Sequence, residues 1–445
     1  MHRLAAAAAA AWALGCSGEI LLHVEGSLPF PQGVDAICLG IADVAPGGGA
    51  FGRGYRLADV GGLPQTLRVE AGGADAAFAW VRGDRGGAPV VRASARTDFG
   101  GDVRLLLDRC GGGPAAAPAV RGDPAGPGGA RLAASLGAGG ALVVAAGGGA
   151  SAILDAANGA FVASPGPAPP AGAIVAVLGA DLDGDCDDDL VVVTDGAPPA
   201  LWRRAGATFV PFADLGTSAA AAIAAADVDR DTDVDLVVAD GGGLALWRND
   251  GGGGFARDGA AFTDPGRASA VRALALGDLD GDGIADLVVG QAGGPLLAWL
   301  GEPSGTGRFI AADAAVPPVP LVVRALVLAD ADGDLDPDLA VAVDGAPLRL
   351  YIDRDGHLED QSFVRLPAPI VANAIAIGDW DAGCRPDAVI ASDAGGPTLS
   401  GQSTDTFAAD AVAPAAGDVV LTDLDDDGDL DAVLAGPDGV RWLAR

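Results

Sequence analysis

Lysine is absent from this 445-residue chain, so all 27 basic residues are arginine. That excludes a Schiff-base lysine and the lysine of a phosphate-binding loop. Histidine is nearly as scarce: His2, His23 and His357 are the only three, and no nucleophile elbow or zinc-helix motif surrounds them. The formal net charge of -33 leaves no basic surface with which to displace counterions from a nucleic acid. Of the 60 acidic residues only Glu19, Glu25, Glu70, Glu302 and Glu359 are glutamate, so the remainder favour the shorter arm of aspartate. Long stretches free of helix breakers are also missing: 70 Gly and 30 Pro are spread through the chain, which points to an all-β protein with many turns.

The chain opens with Arg3, an apolar run from Leu4 to Leu14 too short to span a bilayer, and then Gly15-Cys16-Ser17. Ala13-Leu14-Gly15-Cys16 resembles a bacterial lipobox. The resemblance implies a signal peptide over 1–15, lipidation of Cys16, and an outer-membrane lipoprotein facing the periplasm or the cell surface. Four other cysteines remain, an even number that suits an exported protein. Cys38 and Cys110 bracket the first structured segment and are expected to form a disulfide. Cys186 and Cys384 occupy matching places in two distant repeats, and no bond between them is expected.

Residues 16–110 carry short apolar runs, Ile20 to Val24, Ala36 to Ile41, Thr66 to Val69, Ala76 to Val81, Val90 to Ala93 and Val103 to Leu107. They read as a small antiparallel β-sandwich. Residues 111–130 are mostly Gly, Pro and Ala and read as a linker. From 131 to 445 the chain repeats. Asp181, Asp183, Asp185 and Asp189 stand at the first, third, fifth and ninth places of a loop that ends in an apolar run. The same places are held by Asp227, Asp229, Asp231 and Asp235, by Asp278, Asp280, Asp282 and Asp286, and by Asp330, Asp332, Asp334 and Asp338. A last full copy is Asp423, Asp425, Asp427 and Asp431, while the copy at Asp379, Asp381 and Asp387 is degenerate because Gly383 holds its fifth place. Successive copies lie 46, 51, 52, 49 and 44 residues apart, the size of one four-stranded propeller blade. Leu142-Val143-Val144, one step upstream, marks a seventh copy with Gly137 to Gly140 in place of the acidic loop.

In five of the copies an aromatic third strand carries Trp202, Trp247, Trp299, Tyr351 or Trp442. With Trp247-Arg248-Asn249-Asp250-Gly251, these phrases resemble the FG-GAP or VCBS-type repeats of integrin alpha-subunit propellers and bacterial surface proteins. The resemblance implies a seven-bladed β-propeller over 131–445. The last copy stops after its third strand, so ring closure requires an outer strand from between Ala117 and Leu132.

Three carboxylates converging in a tight loop repel one another unless a cation sits among them. Oxygen-only donors suit Ca²⁺. About five calcium sites are expected, with none or a weak one at Asp379, and the sixth place of each loop is expected to need a left-handed glycine. The six windows hold 29 of the 60 acids, so most of the net charge belongs to these loops. No catalytic residue is expected, and the phase of the aromatic series favours packing between blades over stacking on sugars. The expected function is an exported, lipid-anchored calcium-binding propeller that binds or adheres to an unidentified protein or glycan as a monomer. The alternative is a carbohydrate-binding or carbohydrate-active protein on a propeller platform.

Overall fold

In the computed structural model the backbone pairing of the strands between residues 19 and 165 is described, with side chains there at 131–132, 151–154 and 161. Residues 173–444 are described apart from 186, 206–207, 217–218, 232, 283, 333, 335, 355–356, 379, 381–384, 402–405, 423 and 425–429. Strands dominate and the protein is all-β.

Near the N-terminus, Glu19–Gly26 pairs antiparallel with Gln65–Glu70 and parallel with Asp102–Leu107. Ala36–Asp43 sits between Ala50–Arg56 and Ala76–Arg85, and Ala88–Asp98 adds to the latter. Six of these seven strands follow the apolar runs of the sequence. Ala50–Arg56, with sequence AFGRGYR, does not, because two glycines and two arginines interrupt it.

The remaining strands build a β-propeller. Six four-stranded blades of consecutive strands span residues 131–165, 174–211, 220–258, 271–311, 323–360 and 374–412. Each is an antiparallel meander, and the first strands of successive blades lie side by side. The expected seven-bladed ring needs correction to six: among the described residues six blades are continuous in sequence. The last three strands, Asp418–Thr422, Asp431–Gly436 and Gly439–Ala444, have no fourth strand after them. Ala119–Ala125 pairs with Gly439–Ala444 and completes that sheet from the other end of the propeller. The expected splice is therefore present, and it revises the linker: 119–125 is a strand of the propeller. Unpaired strand edges are open to pairing with other chains, and the splice covers this one.

The core follows from the strand pattern. Second strands such as Asp189–Thr194, Asp286–Gln291 and Asp338–Val343 are buried on both faces, which is why they read as unbroken apolar runs. Side chains of neighbouring blades interleave around them. Val237, Leu246, Leu287 and Trp299 share one cluster across two blades, and Leu339, Val341, Leu296 and Ala298 share another. The aromatic series is buried: Trp299 and Trp442 are 0% exposed and Tyr351 1%. Trp299 donates its indole N–H to the Thr263 carbonyl at 2.8 Å and carries the Arg267 guanidinium 4.1 Å above its ring. These rings pack blades together and present no face to a sugar.

Where the two ends of the propeller meet, the first strand Arg131–Ser135 lies beside Asp418–Thr422. Leu132 N–H donates to Asp418 Oδ2 at 3.1 Å, and Arg131 stands 4.0 Å from the same oxygen. Burial pushes the Asp418 carboxyl up, opposed by Arg131 and two backbone N–H groups. Asp418→Ala leaves the buried Leu132 N–H without its acceptor. It is expected to cost about 1–3 kcal/mol in urea unfolding, whereas a closure that does not use this clasp would lose less than about 0.5 kcal/mol.

Candidate metal centres

Each Asp loop joins the first strand of a blade to the second and is shaped by its own side chains. In the first loop Gly184 N–H donates to Asp181 Oδ1 at 2.9 Å and Asp187 N–H to Asp185 Oδ1 at 2.9 Å. The second loop has Asp231 N–H on Asp227 Oδ1 and Asp233 N–H on Asp231 Oδ1, and the third Ile284 N–H on Asp282 Oδ1. Such Asx turns are what the short aspartate arm permits. The fourth place is left-handed, a position that the sequence expectation for the sixth did not name: Gly184 has φ +74° and Gly281 +75°. Arg230 holds this place in the second loop at φ +64°, a conformation strained for a side chain with a Cβ. Cys186, Thr232, Gly283 and Leu335, at the sixth place, lie outside the described residues.

The turns gather carboxylates into four clusters whose oxygens lie within 4.8 Å of one another: Asp181, Asp183 and Asp189; Asp227, Asp229 and Asp231; Asp278, Asp280 and Asp282; and Asp330, Asp332 and Asp338. First and third places converge in every cluster. The fifth joins in two and the ninth in the other two, so Asp185, Asp334, Asp235 and Asp286 stand outside the clusters of their own loops. Asp379, Asp381, Asp423, Asp425 and Asp427 lie outside the described residues, as do Cys16 and Cys110 and the side chain of Cys38.

The ninth aspartate has a second task. Asp189 Oδ2 accepts from Leu182 N–H at 3.0 Å and its Oδ1 from Arg204 N–H at 2.8 Å. Asp286 accepts from Leu279 and Gly301 N–H, both at 2.7 Å, and Asp338 from Ala331 and Asp353 N–H, both at 2.8 Å. Asp235 Oδ1 accepts from Asn249 N–H and Asp431 Oδ2 from Leu424 N–H. One carboxylate thus ties the second residue of the loop to the third strand, two places beyond its aromatic residue. Asp387 keeps the bond to Gly401 N–H at 2.8 Å although its own loop lacks the fifth aspartate, so the tie does not depend on a complete cation site. All six ninth-place residues are buried. Burial raises the Asp189 and Asp286 carboxyls to about 8 and those of Asp235 and Asp338 to about 7, with the backbone donors opposing and neighbouring carboxylates adding. Burial, with Asp183 and Asp187 adding to it, lifts Asp185 to about 6.

Sequence reading missed the arginines. Arg203 and Arg248, each following its strand's tryptophan, pair with the third-place Asp183 and Asp229. Asp332 meets Arg365 at 3.0 Å and Arg354 at 3.5 Å. The repeated Trp-Arg at 202–203 and 247–248 was the available signal. Asn249 also joins neighbouring loops, donating its side-chain N–H groups to the carbonyls of Leu182 at 2.8 Å and Val234 at 3.0 Å. Its Oδ1 caps the turn at Gly251 and Gly253, which gives a physical reason for the Trp-Arg-Asn-Asp-Gly phrase.

The donors fit a hard divalent cation. Asp183 Oδ1, Asp229 Oδ1 and Asp332 Oδ1 are buried and accept no hydrogen bond, and each belongs to a cluster. Buried carboxylate oxygens are costly without a partner, and all-oxygen sets of this kind suit Ca²⁺.

The FG-GAP-like repeat family matches residues 181–238, 227–289 and 278–341, each match running from one Asp loop past the next. No curated protein matches the chain. Solved structures of similar shape include an Agrocybe aegerita lectin described by its specific recognition of non-reducing terminal N-acetylglucosamine. It has 16% identity and a TM-score of 0.48, with 72% of this chain and 86% of that one covered. BBS1N in complex with ARL6DN, soaked with lead or with mercury, gives 14% and 15% identity, also with a TM-score of 0.48. Coverage is 74% of this chain and 96% and 95% of those chains. Residues 181–341 are similar to FG-GAP-like repeats, and they fold as blades of a β-propeller.

Proposed function

We propose that the protein is an exported, lipid-anchored binding or adhesion module whose propeller carries Ca²⁺ in its Asp loops. In this reading the spliced sheet counts as a seventh blade, and the N-terminal strands form a sandwich between the anchor and the ring. Asp181, Asp183 and Asp189, with the corresponding clusters at 227, 278 and 330, hold the ions. An ion supplies positive charge that fixes the turn between the first two strands of a blade. The Asp423 loop is proposed as a fifth site on its sequence alone.

The observation that carries the binding role is the placement of exposed apolar side chains. Val319, Val322, Phe363, Val364 and Val371 lie in connections from one blade to the next. These connections hydrogen-bond to the turns between second and third strands, as Leu321 N–H to Gly294 and Leu348 N–H to Ile370, at the end of the blade away from the Asp loops. Phe363 is 79% exposed, beside a groove lined by Pro347, Leu348, Leu366, Pro367 and Pro369. Exposed apolar side chains grouped in this way mark contact surfaces. Protein without its lipid, incubated with cell envelopes and with purified glycans, is expected to bind a component that Phe363→Asp and Val364→Asp together release. Unchanged binding by that double variant would remove the assigned face, and saccharide cleavage would favour the carbohydrate-active alternative.

A further inference from the structure

The left-handed fourth place is glycine in the first and third Asp loops, at Gly184 and Gly281, but arginine in the second, where Arg230 holds φ +64°. Backbone strain of this kind persists where the surrounding contacts over-determine it. The contact that Arg230 makes leaves its own blade. Its Nη2 donates to the main-chain carbonyl of Asp282, in the Asp loop of the next blade, at 2.9 Å. Asp282 is a member of the Asp278 cluster, and its Oδ1 accepts from Ile284 N–H at 2.9 Å. The backbone of Arg230 lies between Asp229 and Asp231, both members of the Asp227 cluster. One residue therefore has its main chain inside one carboxylate loop and its guanidinium on the main chain of the following one.

A comparable link stands upstream. Asn249 donates its side chain to the Leu182 carbonyl at 2.8 Å and its main-chain N–H to Asp235, while Leu182 N–H is held by Asp189 of the first cluster. Arg248 also crosses to the following blade, but to the carbonyls of Thr306 and Gly307 in the turn after its third strand. Arg230 is the residue that reaches the Asp loop itself.

We infer that Arg230 is a positioning residue that couples the Asp227–Asp231 loop to the Asp278–Asp282 loop, so that the two take up cations cooperatively. This rests on the reading of the loops as cation sites. An ion that fixes the first loop also fixes the stem of Arg230, whose head then holds the Asp282 peptide in place. The second loop has less freedom left to lose when its own ion arrives, and linkage makes the effect reciprocal. Repulsion between ions in neighbouring blades works against this, and at physiological salt it is screened beyond about 8 Å. The strained arginine thus replaces a local convenience, the glycine of the sister loops, with a connection between sites.

Calcium titration of the full chain by calorimetry, at physiological salt, is combined with amide exchange at Ile284. Arg230→Gly supplies the residue found in the sister loops, so the turn keeps its shape while the guanidinium is lost. It is expected to take up as many ions as the wild type, less steeply, with one of them bound about fivefold more weakly. Should it not fold, Arg230→Asn also tolerates a positive φ and removes the same group. In Asp278→Asn, which removes the ion of the second loop, calcium is still expected to slow exchange at Ile284 several-fold, and adding Arg230→Gly is expected to abolish that slowing. Unchanged steepness and affinity in Arg230→Gly, or protection of Ile284 that survives in the double variant, overturns the inference. Wild-type protein that binds calcium at independent sites does so too and leaves the cation reading standing. Wild-type protein that takes up no calcium brings down the cation reading, and this inference with it.

Discussion

In cation-free buffer the melting temperature is expected to fall as pH rises from about 5 to 8, and millimolar calcium is expected to restore it at pH 8. The buried ninth-place carboxyls of Asp189 and Asp286 titrate near 8 and those of Asp235 and Asp338 near 7, against 3.8 for the ordinary aspartate. A carboxyl whose folded value is raised binds its proton more tightly in the fold than in the unfolded chain. Its contribution is therefore complete below the unfolded value and is lost as pH climbs through the folded value, at about 1.4 kcal/mol per group for each pH unit between the two. Four such groups act over overlapping windows, so the decline should be large. A bound cation reverses the sign, because it favours the ionised carboxylates and stabilises the fold by mass action. Calorimetric melts at several pH values, each with chelator and with calcium, check both halves. A chelated protein whose melt is flat from pH 5 to 8 would show that the carboxylates are ionised and fully compensated without metal.

Replacing Asp286 by alanine is expected to cost about 3–5 kcal/mol, the largest effect of any loop substitution. The change leaves the Leu279 and Gly301 N–H groups buried without acceptors, each costing about 1–3 kcal/mol, and opens a cavity beside Leu287. Asp286→Asn should be milder, since its carbonyl still accepts from one of the two N–H groups and its side chain fills the same space, although its NH2 then faces the other donor. The discriminating comparison is Asp387→Ala, in the loop that lacks a fifth aspartate. If the ninth residue mattered only as a cation ligand, Asp387→Ala would be nearly silent. As a backbone tie it should cost about 1–3 kcal/mol with or without calcium, because its bond to Gly401 N–H is present in any case. Urea unfolding of the two variants in chelator separates these outcomes.

The periodic features were legible because one physical requirement repeats. Fully buried second strands announce themselves as Leu190 to Val193 and its copies, and the aromatic phase of the third strand follows from packing across blades. The incomplete last copy foretold the strand at 119–125, since an open edge demands a partner. What escaped notice depends on groups brought together only by the fold. Arg365 sits 33 residues after Asp332 and on another element, and nothing in its local sequence links the two. The second role of the ninth aspartate was hidden because carboxylates at regular spacing are indistinguishable as cation donors or as backbone acceptors until the third strand is in place. The left-handed fourth place was also within reach, since Gly184 and Gly281 stand there in two of the loops.

The splice between Ala119–Ala125 and Gly439–Ala444 also sets an order of events during synthesis. The ribosome makes the outer strand of that sheet before any continuous blade and the strand it pairs with after all of them. The early strand must therefore wait while six blades form, and the ring stays open until the C-terminal segment emerges. A prematurely terminated chain would display an uncovered strand at its front and an unfilled gap at its back, a pairing hazard that a protease could recognise and a finished molecule would not show.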